Sequence, residues 1–295
     1  MHIAFIGFGE AARAFAGTLR EKDSTLTFSA YDILLGTEKE AGILAAAEQA
    51  GVRMEPTVAE AVAAADWVIA AVTAASSLAA AKSVDQALRP GQVYIDINSV
   101  SAGVKRQTAA LLAPRGAVYV DMAVMSPVHP RGHRSPVLVA GEFDRDLLDL
   151  FAKLGFDLEF VGAETGMAAT IKMVRSLFVK GLEAITVQAM VAAHRAGCLD
   201  RVFASLAKSF PQFEWERFVG YQFERVATHG VRRAAEMRES ALAMRELGLP
   251  EGEALAAAIA ELQSAVGERQ LPIRAGKEPA ELAALVSEAL GEREG

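Results

Sequence analysis

The chain has 295 residues, of which 52% are hydrophobic and 23% charged, with a formal net charge of −7. This acidic balance argues against nucleic acid as a partner, because binding to phosphates needs a basic surface. No charge-free apolar stretch approaches the ~20 residues that cross a bilayer, so we expect no membrane partner. The single cysteine, Cys198, excludes an intrachain disulfide, and the first motif begins too early for a removable leader. We therefore expect a soluble, cytoplasmic protein.

The first part of the chain alternates short apolar runs with helical patterns. Strands are predicted at residues 2–7, 25–32, 66–72, 92–98, 117–124 and 136–141, and helical stretches separate the first five. This alternation is typical of a parallel sheet with helices on both faces. We therefore predict an α/β domain of the Rossmann type over residues 1–163.

The pattern changes after this domain. Residues 165–196 show helical periodicity without proline, and three or more helices follow, punctuated by Pro211 and Pro250. The tail, residues 276–295, is predicted to be a charged amphipathic surface helix that ends in a solvated segment; a partner-binding tail is the alternative. We predict an all-helical C-terminal domain over residues 164–295.

A glycine turn joins the first predicted strand to the first helix. Residues 7–12, GFGEAA, fit the pattern G-x-G-x-x-A of dinucleotide-binding domains. The first glycine permits the tight turn, the second lets a pyrophosphate approach the backbone, and the small sixth residue lets helix and strand pack closely. The helix N-terminus offers N–H groups and the positive end of its dipole to the phosphates. The turn therefore predicts a dinucleotide site formed by Gly7, Phe8, Gly9, Glu10 and Ala11.

The second predicted strand ends in Asp32, 23 residues after Gly9. A carboxylate at this distance is expected to meet the hydroxyls of the adenine ribose. Its charge would repel the 2′-phosphate of NADP, and no arginine follows it directly, so we predict NAD as the cofactor, with NADP as the alternative. Asp32 could instead cap a turn, as aspartate often does.

A second group of residues lies on the helix that begins the C-terminal domain. Gly166 and Lys172 match a signature in which Gly-x-Gly precedes Lys-x-x-Asn-Asn, although Arg175-Ser176 replaces the asparagines. With the glycine turn, these residues make the chain resemble the β-hydroxyacid dehydrogenase superfamily, which includes 3-hydroxyisobutyrate and 6-phosphogluconate dehydrogenases. Residues 172–184 are most similar to a bacterial branch with a distinct C-terminal helical domain.

The resemblance implies further cofactor contacts. Val72 and Thr73 fall where the family places a Leu-Pro pair against the cofactor, and residues 96–99, DINS, resemble its Asp-x-Ser-Thr segment. We therefore predict that Val72, Thr73 and Ser99 bind the cofactor.

Lys172 is the predicted catalytic residue. Oxidation of a β-hydroxy acid sends a hydride to nicotinamide and requires a group that takes the hydroxyl proton. A buried lysine suits this task, because burial lowers the pKa of an amine. Lys172 lies in an apolar run and matches the family lysine. The alternative is a lysine at the domain boundary that extends to solvent.

Three residues are predicted to bind substrate. Ser176 shares a helix face with Lys172, and Ser126 stands in the family's carboxylate loop, where Pro127 has no N–H to donate. Arg232 could replace a lysine that the family carries at the position of Ala235, although an ion pair with Glu236 is an equal alternative.

Other polar residues have two interpretations. Lys180 could continue the substrate face or be a surface charge, and Arg131 and Arg134 could grip a carboxylate or lie in a solvated loop. His129 and His133 have no acidic or cysteine partner at suitable spacing, so we predict no metal site.

These features predict an NAD(P)-dependent oxidoreductase acting on a small β-hydroxy acid or the matching carbonyl. The alternatives are an imine reductase on the same scaffold and a redox sensor that binds the cofactor without turnover. The resemblance also implies a homodimer, the commonest closed oligomer, and a small anionic molecule as substrate.

Overall fold

A computed structural model describes residues 1–273 and 277–291. The chain separates into two compact units, Met1–Lys172 and Met173–Gly295. The division falls within one long helix, whereas the sequence pattern set the boundary after residue 163, where that pattern becomes helical; the predicted limits 1–163 and 164–295 stay a prediction.

The first unit contains an eight-stranded sheet. Its strands are β1 (His2–Ile6), β2 (Thr27–Tyr31), β3 (Arg53–Met54), β4 (Trp67–Ala70), β5 (Val93–Asp96), β6 (Val118–Val124), β7 (Val137–Ala140) and β8 (Leu158–Gly162). Their order is β3-β2-β1-β4-β5-β6-β7-β8, and every neighbouring pair except β6–β7 is parallel. The predicted class, a Rossmann-type α/β domain followed by helices, is confirmed.

Helices cover both faces of this sheet. They are α1 (Glu10–Lys22), α2 (Glu40–Ala50), α3 (Val58–Val62), α4 (Ser77–Asp85), α5 (Ala102–Leu112) and α6 (Arg145–Leu154). Strand β1 alternates between the two cores: Ile3 and Phe5 pack towards α1 and α6, whereas Ala4 and Ile6 pack towards α3, α4 and α5. A parallel sheet buried on both faces explains why its strands appear as continuous apolar runs.

The sequence prediction of this unit was incomplete in two respects. It missed β3, β8, α3 and α6, and it gave the sixth predicted strand, which is β7, no orientation. Residues 125–136, between β6 and β7, form only a short 3₁₀ turn at Gly132–Arg134. Because a parallel crossover usually needs a helix, β7 returns antiparallel to β6.

The remaining described chain is helical. It comprises α7 (Met167–Arg195), α8 (Leu199–Ser209), α9 (Trp215–Glu246), α10 (Pro250–Gly267) and α11 (Pro279–Gly291). Helices α9 and α10 cross closely, because a Cβ at Gly230 would lie 2.2 Å from the carbonyl oxygen of Gln263.

Two further expectations concern these helices. Leu282 and Val286 of α11 are fully buried in the helical core, so this element is more than a surface helix, and its predicted solvated end lies outside the described residues. Helix α7 is long and apolar enough to span a membrane by length and composition. However, 56% of its most apolar 18-residue stretch is buried inside the protein. Such burial is typical of the core helix of a soluble fold.

Candidate functional site

The turn between β1 and α1 forms a cradle on the carboxyl side of the sheet. Gly7 has φ +83°, and a Cβ there would lie 2.6 Å from both the Ala71 oxygen and Val72 Cγ1. A Cβ at Gly9 would meet no atom within 4 Å, so the space above the turn is open. Gly9, the N-cap of α1, has no side chain that could cap the helix. The first N–H groups of α1 are thus available to a phosphate, and the turn fits a dinucleotide pyrophosphate.

Asp32 supports this turn from the end of β2. It is 8% exposed; its Oδ2 accepts the N–H of Phe8 at 2.7 Å and its Oδ1 accepts the N–H of Leu34 at 2.9 Å. The turn-capping alternative is therefore realised. A carboxylate offers about four acceptor positions, and these two hydrogen bonds occupy two of them.

Asn98 holds the segment that follows β4. Its Oδ1 accepts the N–H of Val72 at 2.7 Å, and its Nδ2 donates to Ser77 Oγ at 3.1 Å. Thr73, beside Val72, donates from Oγ1 to Ser76 Oγ at 3.0 Å. The sequence interpretation gave Asn98 no role, although its position just after β5 puts it beside the end of β4.

Lys172 and Ser99, predicted separately, lie together in the first unit. Lys172 Nζ donates a hydrogen bond to Ser99 Oγ at 2.6 Å, and both side chains are half-buried. Ser99 follows the end of β5, and Lys172 lies on the second turn of α7. An amine is thereby held near the carboxyl edge of the sheet, on which the glycine turn also lies.

Sequence reasoning missed a buried charged triad near this pair. Asp96 ends β5 and is the register partner of Asp121 on β6, and both are fully buried. Lys105 of α5, also fully buried, brings Nζ to 3.1 Å from Asp96 Oδ1 and 3.4 Å from Asp121 Oδ1. The buried face of α5 is spaced as Ala102, Lys105, Thr108 and Leu112, so helical periodicity was the signal that could have found the lysine.

Tyr119 completes the environment of Asp96. Its hydroxyl donates to Asp96 Oδ2 at 2.8 Å. Burial, followed by the nearby charge of Asp96, raises the pKa of Tyr119 well above its ordinary value. The phenol therefore stays a hydrogen-bond donor at neutral pH.

The predicted substrate residues are divided between the two units. Ser126 lies just beyond β6 and donates to the Pro127 oxygen at 3.3 Å. Ser176 is buried on α7, four residues after Lys172, in the second unit. Arg232 is exposed and lies 3.4 Å from Glu236, so the ion pair considered as the alternative is present.

The loop before β7 is fixed to α1 by a buried histidine. His133 Nδ1 lies 2.7 Å from Thr18 Oγ1, and Nε2 lies 3.0 Å from the Leu154 carbonyl oxygen, to which it can only donate. Burial lowers the pKa of His133 to about 4, so the ring is neutral. Arg134 of this loop lies 3.4 Å from Glu21.

Among residues 1–273 and 277–291, no group of three or more His, Cys, Asp or Glu side chains could hold a metal ion.

The helical unit contains its own buried ion pairs. Lys180 is 6% exposed and lies 2.9 Å from Glu236, so its interpretation as a surface charge was wrong. Arg233 lies 2.8 Å from Glu183, which also accepts a hydrogen bond from Gln263 Nε2 at 3.0 Å. Burial raises the pKa of Glu183 and lowers that of Arg233.

Comparison with known proteins gives the family. Residues 2–99 match the family described as NADP oxidoreductase coenzyme F420-dependent, and residues 193–266 match a domain of unknown function, DUF1932. A conserved hypothetical protein from Sinorhizobium meliloti 1021 is 33% identical, with 98% of this chain and 97% of that chain covered and a TM-score of 0.80.

Two further proteins are more distantly similar to this chain. An uncharacterized 28.5 kDa protein of Methanothermus fervidus is 28% identical over 242 residues, which cover 81% of this chain and 89% of that protein. The 3-hydroxyisobutyrate dehydrogenase of Mycobacterium tuberculosis, with L-serine, shares the fold with a TM-score of 0.71 at 18% identity, covering 96% and 98% of the two chains.

The glycine turn, its open cradle and the family match over residues 2–99 define an NAD(P)-binding oxidoreductase. Its fold is that of the 3-hydroxyisobutyrate dehydrogenases and imine reductases. The chain belongs to the β-hydroxyacid dehydrogenase-like family, in the branch with a C-terminal helical domain, which confirms the resemblance found in the sequence.

Proposed function

We propose that the protein transfers a hydride between a nicotinamide cofactor and a small β-hydroxy acid, or the matching semialdehyde or keto acid, with Lys172 as the general acid and base. The observation that carries this proposal is the hydrogen bond of 2.6 Å from Lys172 Nζ to Ser99 Oγ. It fixes an amine near the carboxyl edge of the sheet, where ligands of open α/β folds bind.

The cofactor, Lys172 and Ser99 have different proposed roles in the reaction. The bound nicotinamide supplies or accepts the hydride. In the oxidation direction Lys172 Nζ takes the proton of the substrate hydroxyl, and in the reduction direction it returns that proton to the carbonyl oxygen. Ser99 orients the amine through its hydrogen bond to Nζ.

We propose NAD as the preferred cofactor. Asp32 is held by two backbone N–H groups at the end of β2, and residues 33–35, Ile-Leu-Leu, bring no cation that would receive a 2′-phosphate. NADP is the alternative, because the family over residues 2–99 is described as an NADP oxidoreductase. Val72, Thr73 and the N–H groups of residues 9–11 would line the same cofactor.

Ser126, Ser176 and Arg232 are the proposed substrate contacts. Two are hydroxyl groups and the third is a cation, a set that suits a small anionic substrate. Arg232 already pairs with Glu236, so its contribution depends on exchanging that partner for a substrate carboxylate.

We propose a second copy of the chain as the partner. Val174, Phe178 and Ile185 of α7 are 46%, 73% and 64% exposed, and Phe178 follows Val174 by one turn of the helix. Exposed apolar side chains on one face favour a symmetric contact. Light scattering should then give twice the chain mass of 31.3 kDa, and we expect this soluble dimer in the cytoplasm.

An imine reductase is the second candidate, because proteins of that name share this fold. The candidates separate in one screen: reduction of NAD by a panel of β-hydroxy acids, oxidation of NADPH by cyclic imines, or cofactor binding without turnover, which would indicate a redox sensor.

The decisive variant is Lys172→Ala. We expect it to fold and bind NAD as the wild type does while turnover of hydroxy acids falls on the order of 10²- to 10⁴-fold, the usual contribution of a general acid or base. Lys153→Ala, which removes an exposed lysine of α6, is the matched control. A normal kcat in the Lys172 variant would remove the assigned role.

A further inference from the structure

One buried cation, Lys105, lies between Asp96 at the end of β5 and Asp121 in the middle of β6. Lys105, Asp96 and Asp121 are all fully buried, and apolar side chains at these positions would avoid the cost of desolvating three charges. The N-terminus of α7 adds the positive end of a 29-residue helix next to Asp121. The contacts of each carboxylate show what this arrangement holds in place.

Asp96 fixes the turn that carries Ser99. Lys105 Nζ donates to the Asp96 carbonyl oxygen at 2.6 Å as well as pairing with its carboxylate. The same carboxylate accepts the N–H of Asn98 at 2.9 Å. The backbone just before Ser99 is therefore held from both α5 and its own strand.

Asp121 fixes the first turn of the helix that carries Lys172. Its Oδ2 accepts the N–H of Gly166 at 3.1 Å and that of Ala169 at 3.2 Å. These groups have no partner within the helix, so the carboxylate acts as its cap. A Cβ at Gly166 would lie 2.8 Å from Cβ of Ala102, which leaves the turn little room to move against α5.

We propose that Lys105 is a positioning residue for Lys172. By pairing with Asp96 and Asp121, it holds the Ser99 turn and the α7 N-terminus at one separation and thereby sets the distance from Lys172 Nζ to Ser99 Oγ. The kinetic consequence rests on the proposed function, whereas the geometric claim can be tested without any substrate.

The test is Lys105→Met, which keeps an unbranched side chain and removes the charge. We expect kcat to fall on the order of 10- to 100-fold, because misplacing a reacting group by about 1 Å costs that much. The dissociation constant of NAD should change by a smaller factor than kcat, since the glycine turn is not in the triad. Lys82→Met, on the exposed face of α4, is the control.

A second readout needs no activity. Labelling of the cofactor-free protein by trinitrobenzenesulfonate, followed by peptide mass spectrometry, gives the reactivity of Lys172 relative to exposed Lys153 in the same sample. Lys105→Met should change this ratio several-fold, and Lys82→Met should not. If the wild type turns over no hydroxy acid, the proposed function fails while this ratio still decides the positioning role.

Two further variants separate positioning from charge balance. Asp121→Asn keeps an amide oxygen that can cap α7 but removes the ion pair, and it should alter the labelling ratio less than Lys105→Met does. Lys105→Met/Asp121→Asn restores the net charge of the triad. If the double variant recovers wild-type kcat and labelling, or if Lys105→Met lowers only the melting temperature, the positioning role is overturned.

Should Lys105→Met fail to fold, the labelling ratio of Asp121→Asn decides: a wild-type value contradicts the proposal.

Discussion

The two units of the molecule each bury a cluster of charges, and the clusters are built differently. In the first unit, Lys105 pairs with Asp96, which holds the turn after β5, and with Asp121, which caps the N-terminus of α7. In the second, Arg233 and Glu183 join α9 to α7, with Gln263 of α10 as the third member. The first cluster fixes the ends of elements near a candidate site, whereas the second fixes helices along their length. Buried charges can therefore have different roles in one molecule. The first cluster positions chain segments near the candidate site, and the second holds the helices of a core together.

The largest expected effect separates these roles through stability. Arg233→Met removes the cation from Glu183, which stays buried, and breaking a buried pair in this way costs about 3–5 kcal/mol of unfolding free energy. We expect urea denaturation to show this loss and hydrogen exchange to locate it in peptides of the helical unit, while NAD affinity is unchanged.

Arg232→Met is the matched control for stability, because Arg232 is 58% exposed in its pair with Glu236 and such pairs contribute about 0–1 kcal/mol. The double variant Glu183→Met/Arg233→Met removes both charges and should recover much of the loss. Equal stability of Arg233→Met and the wild type would contradict the assembly role.

The features of the candidate site differ in how far the sequence predicts them. The glycine turn and Asp32 form a local pattern, so a cofactor cradle was predictable within 32 residues. Lys172 and Ser99 were named separately, and their contact follows from the topology. Their roles stay predictions.

The rest depended on tertiary structure. Asp121 caps backbone groups 45 and 48 residues away, and no side-chain pattern marks such a partner. Lys105 was detectable, because it lies on the buried face of α5, but a lysine in a helix is usually taken as exposed. The antiparallel β7 depended on a loop too irregular to predict.

A smaller effect tests the one buried histidine of the first unit. Because the pKa of folded His133 is about 4 and that of an unfolded histidine is about 6.5, only the unfolded state takes up this proton between these values. The contribution to stability is complete above pH 6.5 and is lost as the pH falls towards 4, by up to about 3 kcal/mol.

The measurement is the unfolding free energy of the wild type and of His133→Gln at pH 7 and pH 5. The unfolding free energy of the wild type should fall more than that of the variant over this interval, since glutamine does not titrate. The contributions of the carboxylates are common to both proteins and cancel in the comparison. Parallel curves would mean that His133 does not couple stability to pH.

The smallest expected effect concerns Asp32, which lies beside the glycine turn of the first unit. Asp32→Asn keeps an oxygen for the N–H of Phe8 but removes the charge that we propose to meet the adenine ribose. We expect the ratio of NAD affinity to NADP affinity to fall by about tenfold, or 1.4 kcal/mol, because a 2′-phosphate is no longer repelled. Titration of each cofactor by fluorescence measures both constants. Glu48→Gln, an equal change of charge at an exposed position of α2, controls for the general field. An unchanged ratio in Asp32→Asn would leave Asp32 as a brace for the glycine turn and place cofactor discrimination elsewhere in the cradle.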